Sequence, residues 1–185
     1  DDESEMREIP VASVRRLYRE LFTNAPEYLV WQNHAPRLTA SGDGLGSEAS
    51  VRRFTRQSDI TGIDIYPVPE GGGHSNLANR TLSCVGEYTD LAAKSANGQK
   101  PVWMILQAWS WGGPQGSADK PFPTATELRF MFYNAILHGA TGIAYYSVAG
   151  LADLHSPFMR ILADLNRELA SVEEFLLIGT PLPLE

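Results

Sequence analysis

Two hydrophobic periods alternate along the chain. After Ile9-Pro10, the residues Val14, Leu17, Leu21 and Phe22 recur at spacings of three and four, which predicts a helix ending near Asn24, ahead of Pro26. Pro10 suits the first turn of that helix. Residues 28–33 form a short apolar run that turns polar at its end, predicting a strand that hands Trp31, Gln32, Asn33 and His34 to a loop. Gly42, Gly44 and Gly46 mark the loop, and residues 48–56 suit a short helix. Residues 59–66 then read as a strand. On a period of two, Gly62, Asp64 and Tyr66 share one face and Thr61, Ile63 and Ile65 the other, before Pro67, Pro69 and Gly71, Gly72 and Gly73 stop it. Leu77, Leu82, Val85, Tyr88, Leu91 and Ala92 give a helical stripe closed by Asn97-Gly98. Residues 101–109 are a nearly continuous apolar strand of the kind buried on both faces. A polar, glycine-rich loop over 110–123 carries Trp111, for which such a loop offers little packing reason. Thr124 and Glu127 have the spacing of a capping box, and the helix they open runs through Leu128, Met131, Phe132, Ala135 and Ile136 to His138-Gly139. A strand over 142–147 and a helix over 158–176, ended by Gly179 and Pro181, complete the pattern.

Strict alternation of strand and helix predicts βα units and a parallel sheet in a single domain. Four strands are too few for a closed eight-stranded barrel, so the chain is an open α/β sheet or half of a barrel. With 185 residues, 43% of them hydrophobic, it has enough apolar material for a sizeable core. A net charge of −7 with no basic stripe argues against nucleic acid, and no apolar run approaches the roughly 18 residues of a membrane span. Cys84, the single cysteine, allows no internal disulfide and falls in a helical pattern, as a buried structural thiol does. No signal peptide is visible, and the chain starts at Asp1 without an initiator methionine, so an upstream region is expected.

Chemistry concentrates at predicted strand ends. Asp64 lies near the carboxyl end of its strand, where it faces a shared cleft or caps the following turn. Asp59 sits at the opposite end of that strand, and Glu87 lies on a helix face turned to solvent. Trp31, Tyr66, Trp109, Trp111 and Tyr146 fall at or just beyond strand ends, with Asn33, His34 and Gln107 beside them. Aromatic faces with planar hydrogen-bonding groups suit sugar rings, although a single such aromatic is often core packing. His34 and His74 read as loop residues, His138 as a helix end favoured by the dipole, and the four histidines lack metal-ligand spacing. No phosphate loop, dinucleotide fingerprint or nucleophile elbow is present, so no metal or cofactor is expected.

Four stretches taken together carry a resemblance: Asp59-Ile-Thr-Gly-Ile-Asp-Ile-Tyr-Pro67, Lys100-Pro-Val-Trp-Met-Ile-Leu-Gln107, Pro123-Thr-Ala-Thr-Glu-Leu-Arg129 and His138-Gly-Ala-Thr-Gly-Ile-Ala-Tyr-Tyr146. In this order they resemble the second half of TIM-barrel glycoside hydrolases of the clan-A type. The resemblance implies that residues 1–185 are a half-barrel holding strands five to eight, part of a larger (β/α)8 domain, with the chain starting at the end of strand four. In those enzymes strand four ends in a general acid/base, often after Asn or Asp and before Pro. Asp2-Glu3-Ser4 resembles that pattern with serine for proline, which makes Glu3 the candidate acid, against a plain reading as a solvated acidic tail. The family's nucleophilic Glu on strand seven falls at Gln107 or a neighbour, and a glutamine cannot form the ester intermediate.

The resemblance therefore implies a protein that hydrolyses O-glycosidic bonds with Glu3 as acid/base and Asp64 as partner. Carboxyl groups ~5 Å apart indicate retention, and ~6.5–9.5 Å inversion. Trp31, Asn33, His34, Tyr66, Gln107, Trp109, Trp111 and Tyr146 are then the residues expected to bind substrate. The other reading is a non-catalytic carbohydrate-binding or scaffold half-barrel, which Gln107 favours. Family likeness also favours a secreted or periplasmic location. A half-barrel leaves two strand edges unpaired, so a homodimer or a complementing half-barrel chain is expected.

Overall fold

The computed structural model describes residues 3–36, 47–73, 77–114, 116–147 and 157–178. Their order is α1 (Val11–Asn24), β1 (Trp31–His34), α2 (Glu48–Thr55), β2 (Ile60–Ile65), α3 (Cys84–Ala96), β3 (Trp103–Gln107), α4 (Ala125–Leu137), β4 (Gly142–Tyr146) and α5 (Pro157–Ile178). The four strands form one sheet in sequential order, and every pair is parallel. Alternating strands and helices thus build the parallel α/β layer that the two periods predict. The chain divides into two compact units, Asp1–Gly150 and Leu151–Glu185. The second contains α5, whose Arg167 pairs with Asp164 one turn earlier at 2.5 Å.

Register and strand parity sort the side chains. Gln32 and His34, Thr61, Ile63 and Ile65, and Met104 and Leu106 turn toward one face. Helices α2, α3 and α4 pack on β1, β2 and β3. Ile63, Ile65, Met104 and Leu106 are fully buried, as are Val85, Ala92, Leu128, Met131 and Phe132 from the helices. Each large apolar side chain so buried contributes about 1.5–3 kcal/mol. The opposite face carries Asn33, Gly62, Asp64, Trp103, Ile105, Gln107, Gly142 and Tyr146. A Cβ on Gly62 would lie 1.7 Å from the Trp103 carbonyl oxygen, and one on Gly142 would meet the Trp103 indole at 2.4 Å. Glycine at both positions is what lets Trp103 lie between its neighbouring strands.

Local chemistry explains several boundaries. Thr124 and Glu127 form the complete capping box on α4, each side chain accepting the other's backbone N–H. Ser47 caps α2 by accepting from the Ser50 N–H. Strand β1 begins at Trp31, three residues later than its apolar pattern suggests, because pairing starts where β2 provides a partner: Trp31 aligns with Ile60. Just ahead of it the Val30 N–H goes to the Asp59 carboxylate at 2.8 Å, leaving Tyr28 and Leu29 exposed. The helical stripe at Leu77 and Leu82 also starts too early. There the Asn79 side chain accepts the Thr81 N–H at 3.0 Å and Glu70 accepts that of Leu82 at 2.6 Å, so helix α3 opens only at Cys84. The thiol of Cys84 is buried and pushed up to about 12, first by burial and then by Glu87 and Glu70, as befits an inert structural thiol. The glycine-rich loop over 42–46, His74, His155, Asp2 and the helix stop at Gly179 and Pro181 lie outside the described residues.

A candidate active site at the carboxyl edge of the sheet

Asp64, next to last in β2, is buried on the face opposite the helices. Its Oδ1 accepts the Asn33 side-chain amide at 2.9 Å, and its carboxylate also accepts the Tyr66 hydroxyl. The carboxylate is therefore tied to the ends of β1 and β2. Glu3 reaches the same place by a different route. Its backbone N–H donates to the Asn33 carbonyl at 3.0 Å, with Glu3 itself at φ 48. Residues 3–9 then close on themselves through Arg7 N–H to Glu3 O and Ile9 N–H to Ser4 O, burying Ser4 and Glu5. The acidic start is not a solvated tail over these residues. Burial pushes the Tyr66 phenol far up, and Asp64 adds to it by charge and by hydrogen bond, with smaller contributions from Tyr146 and Glu3.

Four of the five expected aromatics converge beside this pair. Tyr66 stacks on Tyr146 with centroids 5.6 Å apart and meets Trp109 edge-on at 5.7 Å. Trp111 leans on Trp109 at 4.5 Å and on Tyr66 at 6.5 Å, which supplies the packing reason its loop sequence lacks. Tyr66 is buried, Trp109 and Trp111 are half-buried, and Tyr146 is 52% exposed, so the cluster presents ring surface to solvent. Next to it a cavity of about 250 Å³ is lined by Trp109, Ser110, Gly113, Pro114, Phe122, Tyr146 and Ser147.

Two expected binding residues stand elsewhere, and a third, Gln107, reaches this edge with its amide already occupied. Trp31 begins β1, at the amino end of the sheet, and contacts Trp103 at 5.9 Å, the edge opposite Asp64. The pattern placed it at a strand end, but the wrong one. His34 follows Asn33 and so turns to the other face, where it is fully buried and its Nε2 lies 3.2 Å from the Thr61 hydroxyl and 3.3 Å from that of Thr55. It is neither a loop residue nor solvent-exposed. Gln107 is fully buried, and its amide is taken up by backbone. Its Oε1 accepts the Val68 N–H at 2.8 Å, while Nε2 donates to Val68 O at 2.8 Å and Trp109 O at 2.9 Å. An amide is required there because two carbonyls and one N–H must be satisfied at once.

Sequence reasoning missed a buried polar cluster behind β1. The Ser50 hydroxyl donates to Glu5 Oε2 at 2.5 Å, and Glu5 Oε1 lies 3.9 Å from His34 Nδ1. Burial holds His34 down at about 3, so the imidazole stays neutral, and pushes the Glu5 carboxyl up. The parity of Thr61 opposite Gly62 was its one available signal. Asp59 accepts Tyr18 Oη–H at 2.6 Å and Glu87 accepts the Asn79 amide at 2.6 Å, structural ties for both. His138 caps α4 and lies 3.0 Å from Asp90. Among the described residues no group of three or more His, Cys, Asp or Glu could hold a metal ion, and no helix is long and apolar enough to cross a membrane. Neither the protein-family models nor the curated proteins compared with this chain give a match, which leaves the geometry of this edge to carry the functional reading.

Proposed function

We propose that the chain is strands five to eight of a TIM-type barrel that binds carbohydrate at the carboxyl edge and hydrolyses O-glycosidic bonds. The observation that carries this reading is Asp64, tied to Asn33 and Tyr66 beside ring surface from Trp109, Trp111 and Tyr146, with the Glu3 backbone bonded to that same Asn33. Glycoside hydrolysis needs one carboxyl to protonate the leaving oxygen and a second to attack the anomeric carbon or to activate water. Glu3, half-buried and bonded through its backbone to Asn33, is assigned the proton transfer. Asp64, oriented by Asn33 and Tyr66, is assigned the second role. Asn33 then acts by positioning Asp64.

Gln107 supports a second reading, in which the edge binds sugar without cleaving it. The strand-seven position has an amide committed to backbone and no carboxylate. Glu3→Gln and Asp64→Asn separate the two. Under the hydrolytic reading each lowers kcat on aryl glycosides by at least about 100-fold, while tryptophan fluorescence still reports sugar binding. Unchanged turnover in both variants sinks it. Binding without turnover in the parent protein establishes the second reading.

A further inference from the structure

The cavity beside the aromatic cluster carries information about what the sugar is attached to. It is formed by the ends of β3 and β4 and by the loop between β3 and α4, which is braced internally. Ser110 Oγ donates to the Lys120 carbonyl and accepts the Gly112 N–H at 2.9 Å. The Ser117 and Lys120 backbones exchange hydrogen bonds at 3.0 and 3.1 Å, and Gly113 and Gly116 take positive φ to make the turns. The slot is thus built without a ligand, as small-molecule pockets usually are. Its described lining holds two aromatic side chains from the strand ends, Trp109 and Tyr146, faced by Phe122 and Pro114, with no charged side chain. The Ser110 hydroxyl proton is committed to Lys120 and one of its acceptor positions to Gly112, which leaves the side-chain polar groups of the described lining few: Ser147, the remaining Ser110 acceptor position and the Trp109 indole N–H, buried with no partner among the described residues. A sugar ring seated there would lose water from its hydroxyls and gain few partners. An uncharged apolar group loses nothing. Tyr146 connects the two places, since it forms one wall of the slot and stacks on Tyr66, whose hydroxyl donates to Asp64.

From this lining and this connection we infer that the substrate is an O-glycoside with an uncharged apolar aglycone, alkyl or aryl, which enters the slot between Trp109, Tyr146, Pro114 and Phe122 while the sugar lies over the Tyr66 side. The inference rests on the carbohydrate reading above and narrows it away from polysaccharides and from acidic aglycones. The cavity of about 250 Å³ has room for a single ring or a short alkyl chain.

The test is a titration of tryptophan fluorescence with matched methyl, hexyl and phenyl glycosides of several neutral sugars, with 1-hexanol and phenol as sugar-free controls. Since each buried methylene tightens binding by about fourfold, hexyl glycosides are expected to bind at least about tenfold more tightly than methyl glycosides. Phe122→Ala should abolish that preference and leave methyl-glycoside affinity unchanged, and Phe122→Leu should retain most of it. Circular dichroism melts confirm that both variants are folded. Equal affinity for methyl and hexyl glycosides, or a hexyl preference that survives in the folded Phe122→Ala protein, overturns the inference and leaves the carbohydrate reading standing. Hexanol or phenol binding as tightly as its glycoside, or no glycoside binding at all, overturns the carbohydrate reading itself and the inference with it.

Discussion

Replacing Gln107 with glutamate introduces the carboxylate that the hydrolytic proposal would look for at the end of β3, and the structure says that it will harm this protein. The two side chains are nearly the same size, so packing is unchanged. What changes is hydrogen bonding. The carboxylate can still accept the Val68 N–H, but Val68 O and Trp109 O, now bonded at 2.8 and 2.9 Å, lose their donor. Leaving a buried group unsatisfied costs about 1–3 kcal/mol each, and the two carbonyls would also face a buried negative charge. We expect Gln107→Glu to destabilise by about 3–5 kcal/mol near neutral pH, a large part of the roughly 5–15 kcal/mol that holds a domain together. The sign of the pH dependence follows. A glutamate buried here with few donors titrates higher in the folded than in the unfolded chain. Its penalty therefore shrinks as pH falls toward the ordinary carboxylate range near about 4.3, where the protonated acid regains one donor. Urea unfolding followed by tryptophan fluorescence, at neutral pH and at about pH 5, measures both effects. A variant within about 0.5 kcal/mol of the parent would refute the reasoning. So would one that gains glycosidase turnover, since either result would mean that the amide clamp is dispensable and the position is open to substrate.

Further outcomes follow from the rest of the molecule. His34, held at about 3 by burial against an ordinary 6.5, binds a proton when unfolded that it refuses when folded. Stability should therefore fall as pH drops below about 6.5, by about 1.4 kcal/mol per pH unit at most. Glu5 is shifted upward, so its own contribution is largest at low pH and is lost as pH rises through its folded value. Acid unfolding of His34→Gln compared with the parent isolates the histidine, and identical slopes between about pH 4 and 6 would rule the account out. The outer edges of β1 and β4 have no strand partner among the described residues. If those edges pair between copies, light scattering at micromolar concentration should give twice the chain mass, and a monodisperse monomer refutes such pairing.

The sheet was legible because its physics is repetitive. An apolar stretch such as 101–109 admits few alternatives once helical stripes flank it, and parity alone placed Gly62, Asp64 and Tyr66 on one face. Parity also held the answer for His34, one residue past Asn33, but a polar residue at a strand end invites a loop assignment, and nothing local reveals that Thr55 and Thr61 await it. Trp31 was misplaced because its strand was drawn three residues too early, which moves a strand's first residue toward its last. Gln107 shows a firmer limit. Its partners Val68 and Trp109 belong to loops whose paths are set by tertiary contacts, so its sequence position suggested a missing carboxylate where the fold needs an amide. Glu5 and Phe122 were missed for the same reason: the neighbours that give them meaning lie 45 residues away in one case and across a turn-rich loop in the other.

Asn33 meets Glu3 through its carbonyl and Asp64 through its amide. One residue thus acts as a common datum for both acids. A displacement of Asn33 is therefore felt on both sides, at the backbone of Glu3 and at the carboxylate of Asp64. Under the hydrolytic proposal, engineering the relation between those two residues would begin at Asn33.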